Sequence, residues 1–250
     1  MSNKLYAFLI TIISGFSTLL GFLFIYIKNK RENIISNALG FASGVMITIS
    51  IIDLLPNSFF EFLKYKNKNI AFFLIILFIL LGILISGIIN SRVESNNKKN
   101  LKLYKLGIIT MFTIILHNIP EGIVTYITTT NNIKLGILFS FSIALHNIPE
   151  GISISIPIYY STGSKLLAFL YTFVSALSEP LGAIITYLFL YKYINNLILG
   201  SIYAIIAGMM INISINDLFK ESLEYNKKHT IIYFIIGIII MLLSHLLFVF

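Results

Sequence analysis

Two identical six-residue phrases hold the residues of this chain best suited to chemistry. His117-Asn118-Ile119-Pro120-Glu121-Gly122 returns as His146-Asn147-Ile148-Pro149-Glu150-Gly151, 29 positions later. On a helix, His117 and Glu121 are four residues apart and share a face, as do His146 and Glu150. Asn118 and Asn147 each stand three residues before their glutamate and flank that face. Pro120 has no N–H to bond the Leu116 carbonyl, and Pro149 has none for the Leu145 carbonyl, so each copy frees a backbone oxygen near its side chains. Each phrase therefore offers an imidazole nitrogen, an amide oxygen, a carboxylate and a carbonyl at one helical level. The chain has no cysteine, which excludes thiolate ligation and disulfides. A nitrogen and oxygen donor set suits a borderline divalent cation such as Zn²⁺, Mn²⁺, Fe²⁺ or Co²⁺. Glu179, beside Pro180, is a candidate third carboxylate.

The elements that carry these groups are apolar. Of 250 residues, 57% are hydrophobic and 11% are charged, against about a quarter charged in a soluble domain. That makes the chain an integral membrane protein. A spanning helix needs about 20 predominantly apolar residues, and eight stretches supply them: Leu5–Ile27, Ser36–Phe60, Ile70–Asn90, Leu106–Thr130, Ile133–Tyr160, Lys165–Tyr191, Leu197–Phe219 and Ile231–Phe250. The first is too long for a signal-peptide core and is read as a retained span. The fold expected is all-α, one polytopic transmembrane domain over 1–250, with a flexible cytoplasmic linker rich in Asn and Lys over 91–105. The fourth and fifth spans, each interrupted by its proline, are expected to be kinked and central.

Both phrases then lie near the middle of a bilayer, where ionisable groups are costly and normally functional. A second repeat joins the second and seventh spans: Gly44, Met46, Ser50 and Asp53 match Gly208, Met210, Ser214 and Asp217 at one offset of 164. The second and seventh spans cross in opposite directions, as do the fourth and fifth. An inverted 3+2+3 repeat is expected, an architecture of secondary transporters with substrate sites at the midplane.

The net charge of +8 is not read as a nucleic-acid surface, because the basic residues lie in short loops where they set topology. With the N-terminus outside, the inner regions hold Lys28, Lys30, Arg31, Arg92, Lys98, Lys99, Lys102, Lys105, Lys165, Lys220, Lys227 and Lys228. The outer regions hold Lys4, Lys64, Lys66, Lys68, Lys134 and Lys192. The bias, 12 against 6, places both termini outside.

Transport of divalent cations is the function these observations favour, with a membrane metalloenzyme using the same site as the alternative. The Glu-x-x-His pairs of di-iron bundles and the His-Glu-x-x-His of zinc proteases are both absent, and so is a nucleotide-binding P-loop.

The paired phrases resemble the fourth and fifth spans of the ZIP family (Zrt/Irt-like proteins) of divalent metal transporters, especially its bacterial ZupT-type members. The resemblance covers essentially the whole chain, including Asp53-Leu-Leu-Pro56 and Ser178-Glu179-Pro180. It implies zinc foremost, or Fe²⁺, Mn²⁺ or Co²⁺, as transported substrate, with no other cofactor, and uptake across the plasma membrane into the cytoplasm. It also implies a binuclear site: His117, Glu121, His146 and Glu150 around one metal, and Asn118, Glu121, Asn147, Glu150 and Glu179 around its neighbour. The implied partners are metal ions and the lipid bilayer, with a homodimer left open.

Two departures from the family pattern stand out. The linker between the third and fourth spans has no histidine. The seventh span ends with Asn216, Asp217 and Glu221 rather than with a histidine or glutamate followed by proline. Asp217 and Glu221 remain candidates for an exit station, and Asp53 for an entrance ligand. His229 and His245 are read as incidental.

Overall fold

A computed structural model describes residues 3–92, 99–190, 193 and 195–248. Among these residues there is no strand, and eight helices are long and apolar enough to cross a membrane. They are α1 (Asn3–Tyr26), α2 (Arg31–Tyr65), α3 (Lys68–Ser91), α4 (Asn100–Asn131), α5 (Ile133–Thr162), α6 (Lys165–Phe189), α7 (Asn196–Leu223) and α8 (Lys227–Leu246). Each of the eight apolar stretches of the sequence thus corresponds to one of these helices over its described residues. The linker expected over 91–105 falls in part on residues 93–98, outside the described residues, while residues 100–105 already belong to α4.

The helices form two bundles. Helices α1, α4, α5 and α6 pack on one another, as do α2, α3, α7 and α8, and the two groups meet chiefly where α2 lies on α5. Helices α3 and α8 run along the outer edge and bury little of themselves, whereas most of α4 is enclosed. Small residues make the close contacts, because apolar area gains nothing by leaving lipid and association rests on packing and hydrogen bonds. In α1 a stripe of Ala7, Thr11, Ser14, Gly15, Thr18 and Gly21 is buried against α5 and α6. Between α2 and α7, Ser43 Oγ donates to the Ser214 carbonyl at 2.9 Å and Ser214 Oγ donates back to the Ser43 carbonyl at 2.7 Å.

Several glycines sit where a Cβ would overlap a neighbouring carbonyl, and these contacts come in matched pairs. Gly82 meets Ile205 as Gly237 meets Phe41, and Gly122 meets Glu179 as Gly151 meets Thr18. Ile205 and Phe41 stand 164 positions apart, and Gly122 and Gly151 stand 29 apart, the two offsets already seen in the sequence repeats.

Connections fix the site helices. One residue, Asn132, separates α4 from α5. Its backbone is extended, with φ −148° and ψ 106°, and its side chain accepts the Leu135 N–H at 3.2 Å, which caps α5. Helix α5 ends at Gly163, whose φ of 73° lies in the left-handed region that glycine enters without steric cost. Both α4 and α5 continue through their central prolines. Helices α2 and α7 each widen into a π-type turn, over Ser50–Leu54 and Ile213–Phe219. Such turns recur at functional positions, and here they hold Asp53 and Asp217.

Candidate metal centre

The site forms where the middle of α4 faces the middle of α5. His117, Asn118, Glu121, His146, Asn147, Glu150 and, from α6, Glu179 are all buried, the most exposed being Glu121 at 7%. The glycine that ends each phrase lets the next helix come in close. A side chain on Gly122 would overlap the Glu179 carbonyl, and one on Gly151 would overlap that of Thr18. Glycine at these two positions thus draws α6 and α1 against the ligand-bearing turns.

The two phrases interlock. His146 Nε2 lies 2.8 Å from Glu121 Oε1, while His117 Nε2 lies 3.3 Å from both Glu121 Oε1 and Glu150 Oε1. The imidazole rings stand 6.1 Å apart between centroids. One ligand atom from each of His117, Glu121 and His146 falls within 4.8 Å of the others, so one small ion can be reached by all three. Glu121 is shared by both histidines, one from its own helix and one from the opposite helix.

On the other flank, Asn147 Nδ2 donates to Glu179 Oε2 and to the Ser14 carbonyl, each at 3.0 Å. With both amide hydrogens committed, Asn147 Oδ1 is left as an acceptor. Oxygens of this set that are buried without a hydrogen-bond partner are Asn118 Oδ1, Asn147 Oδ1, Glu121 Oε2, both oxygens of Glu150, and Glu179 Oε1. Unsatisfied buried acceptors are expensive, and carboxylates out of water are tolerable when a cation compensates them. Both ring nitrogens of His117 and the Asn118 amide nitrogen are left over as well; the acceptors in the set are oxygens and imidazole, a hard to borderline donor set.

A model of the ZIP zinc transporter family matches residues 90–245. The zinc transporter ZupT of Streptococcus mutans is 39% identical, with 100% of each chain covered. The chain belongs to the ZIP family. The ZupT proteins of Oceanobacillus iheyensis, at 38% identity over 99% of each chain, and of Clostridium perfringens, at 34% over 100% of this chain and 98% of that one, are similar over their length as well. ZIP proteins are transporters rather than enzymes, which sets the metalloenzyme alternative aside. Divalent metal transport by a multi-pass membrane protein is the function that follows for this member.

The structure brings His117, Glu121, His146 and Glu150 into one contact group and joins Asn147 to Glu179. Both histidines contact Glu121 and His117 also contacts Glu150, Glu179 is held by Asn147, and Asn118 is buried without a bond of its own. Asp53 stands apart on α2, accepting from Asn57 Nδ2 at 2.8 Å, yet near enough to feel His146 and Glu121 electrostatically. Asp217 lines a separate cleft of about 410 Å³ with Lys102, Lys105, Lys220 and Glu221, and accepts from Asn90 Nδ2 at 2.9 Å. His229 bonds Asn37 rather than any carboxylate. Sequence reasoning missed Ser14, whose carbonyl orients Asn147. The small-residue stripe of α1 was the available signal, since it marks a face made for close packing on another helix.

Proposed function

We propose that this ZIP protein carries zinc, and secondarily Fe²⁺, Mn²⁺ or Co²⁺, across the plasma membrane into the cytoplasm through a midplane His/Asn/Glu site, with both termini outside. One observation carries the reading: Glu121 is held between histidines from two different helices in a buried setting. A carboxylate flanked in this way forms a compact, preorganised cation site. The relatives are themselves zinc transporters by name, which supports zinc as the first cation to test.

A binuclear form is supported by the oxygens left over on the flank. His117, Glu121, His146 and Glu150 hold one cation; Asn118, Asn147 and Glu179 complete a second position that shares Glu121 and Glu150. The cation replaces the histidine–carboxylate contacts, and its release needs those contacts, or protons, to compete for the same atoms. Asp53 and Asp217, each in a widened turn of its helix, serve as stations on either side of the site. The matched glycine contacts support the 3+2+3 repeat. They also support rocking of one bundle against the other as the means of alternating access.

The test is uptake of radiolabelled Zn²⁺ into proteoliposomes. Uptake by the unaltered protein, abolished by both Glu121→Ala and Glu150→Ala, is the expected result. No uptake by folded protein, or undiminished uptake in both variants, rejects the proposal.

A further inference from the structure

At the more basic end of the molecule, a cleft of about 350 Å³ opens on the boundary between the two bundles. Its walls are Phe24 of α1, Ile34 and Phe41 of α2, Ile152 of α5, and Ile236 and Ile240 of α8. A single water occupies about 30 Å³, so the space suits a run of methylene groups. Several of the wall residues are exposed, including Phe24 at 39% and Ile240 at 49%, so the cleft is open sideways to the hydrocarbon.

The mouth differs in character. Asn29, Asn37 and Tyr233 line it, and His229 bonds Asn37 at 2.9 Å and lies parallel to the Tyr233 ring. Lys28 and Lys30 flank Asn29 in the chain, and Lys227 and Lys228 precede His229. All four lysines are exposed, and none forms an ion pair among the described residues. Arg31, by contrast, is committed to Asn100 Oδ1 and the Tyr160 carbonyl. An apolar slot open to lipid, whose mouth residues have exposed, uncommitted lysines as chain neighbours, has the polarity of one ligand class, an acyl chain attached to an anionic headgroup.

We infer that this cleft is a binding site for an anionic phospholipid, with an acyl chain between α1, α2, α5 and α8 and the phosphate among Lys28, Lys30, Lys227 and Lys228. The occupant touches both bundles at once. Ile152 directly follows the second phrase, so the chain also lies against the helix that presents His146 and Glu150. Basic residues beside a membrane surface favour anionic lipids, by about fivefold for each lysine.

The chain contains no tryptophan, so one can be introduced as a reporter. The full-length Phe24→Trp protein is reconstituted in phosphatidylcholine, and brominated phosphatidylglycerol or brominated phosphatidylcholine is titrated in while tryptophan quenching is followed. Phosphatidylglycerol should quench with a preference of about five- to thirtyfold over phosphatidylcholine, the effect of one or two lysines. The preference should fall by about fivefold or more in Lys28→Gln/Lys30→Gln and remain in Lys64→Gln/Lys66→Gln. A reporter at Leu80→Trp, exposed on α3 away from the lysines at its start, should show no preference. Equal quenching by the two lipids at Phe24→Trp, a preference undiminished by loss of Lys28 and Lys30, or the same preference at Leu80→Trp would overturn the inference. Filling the cleft with Ala38→Phe is the independent check: it should remove the preference, and an unchanged preference also overturns the site.

Discussion

His146 Nε2 lies 2.8 Å from Glu121 Oε1, so the histidine of the second phrase is held by the carboxylate of the first. His117 in turn lies 3.3 Å from Glu150 Oε1. The repeated phrases thus exchange partners across the α4–α5 contact, and neither phrase is complete without the other.

This exchange makes the histidine and the carboxylate interdependent in metal-free protein. His146→Leu leaves Glu121 buried with one histidine fewer, and breaking one side of a buried pair costs about 3–5 kcal/mol. The double variant His146→Leu/Glu121→Leu should lose less than the sum of the single variants. Thermal unfolding in detergent with chelator present measures this, and strict additivity would count against a direct pairing.

Cation binding should stabilise the folded protein. A ligand at about a hundredfold excess over its dissociation constant adds about 2.7 kcal/mol. The melting temperature of the unaltered protein is expected to rise with Zn²⁺ and fall back with chelator. In Glu121→Ala/Glu150→Ala the rise should vanish. A rise of equal size in that variant would place the responsible metal elsewhere.

The close helix contacts give a steric prediction. In Gly122→Ala the new methyl group meets the Glu179 carbonyl, and in Gly151→Ala it meets that of Thr18. Overpacking of this kind costs about 1–3 kcal/mol. Both variants should therefore melt lower and transport less zinc, although no ligand is removed. Gly87→Ala is the control, because nothing lies within 4 Å of a Cβ there, and its stability should match or slightly exceed that of the unaltered protein.

Asn147 tests the second flank. Replacing it by Asp removes both hydrogen bonds to Glu179 and Ser14 and sets a carboxylate against Glu179. The metal-free protein should melt lower than normal, while the stabilisation gained on adding Zn²⁺ should grow, because a cation relieves the new repulsion. Equal melting temperatures for Asn147→Asp and the unaltered protein under chelator would show that the amide bonds contribute nothing.

The spans and the ligand-bearing turns were legible in the sequence because lipid imposes strong signals: long apolar runs, and a high cost for every buried ionisable group. The phrase spacing likewise placed His117 beside Glu121, whereas His146 meets Glu121 rather than the Glu150 of its own phrase. Pairing between the helices was not legible, because intrahelical spacing says nothing of which face meets which. Ser14 was missed since its contribution is a backbone carbonyl, which every residue possesses. The widened turns at Asp53 and Asp217 have no residue signature either, as the backbone departs there by a single inserted position in an otherwise ordinary helix.

Asn132 is the whole connection between α4 and α5. A joint that short leaves the pair no slack to part like tweezers around an ion. On the proposed rocking of the two bundles, the cation and its principal holders are carried together, in the manner of a two-pronged fork, and access changes at the flank of the fork where α2 slides past α5.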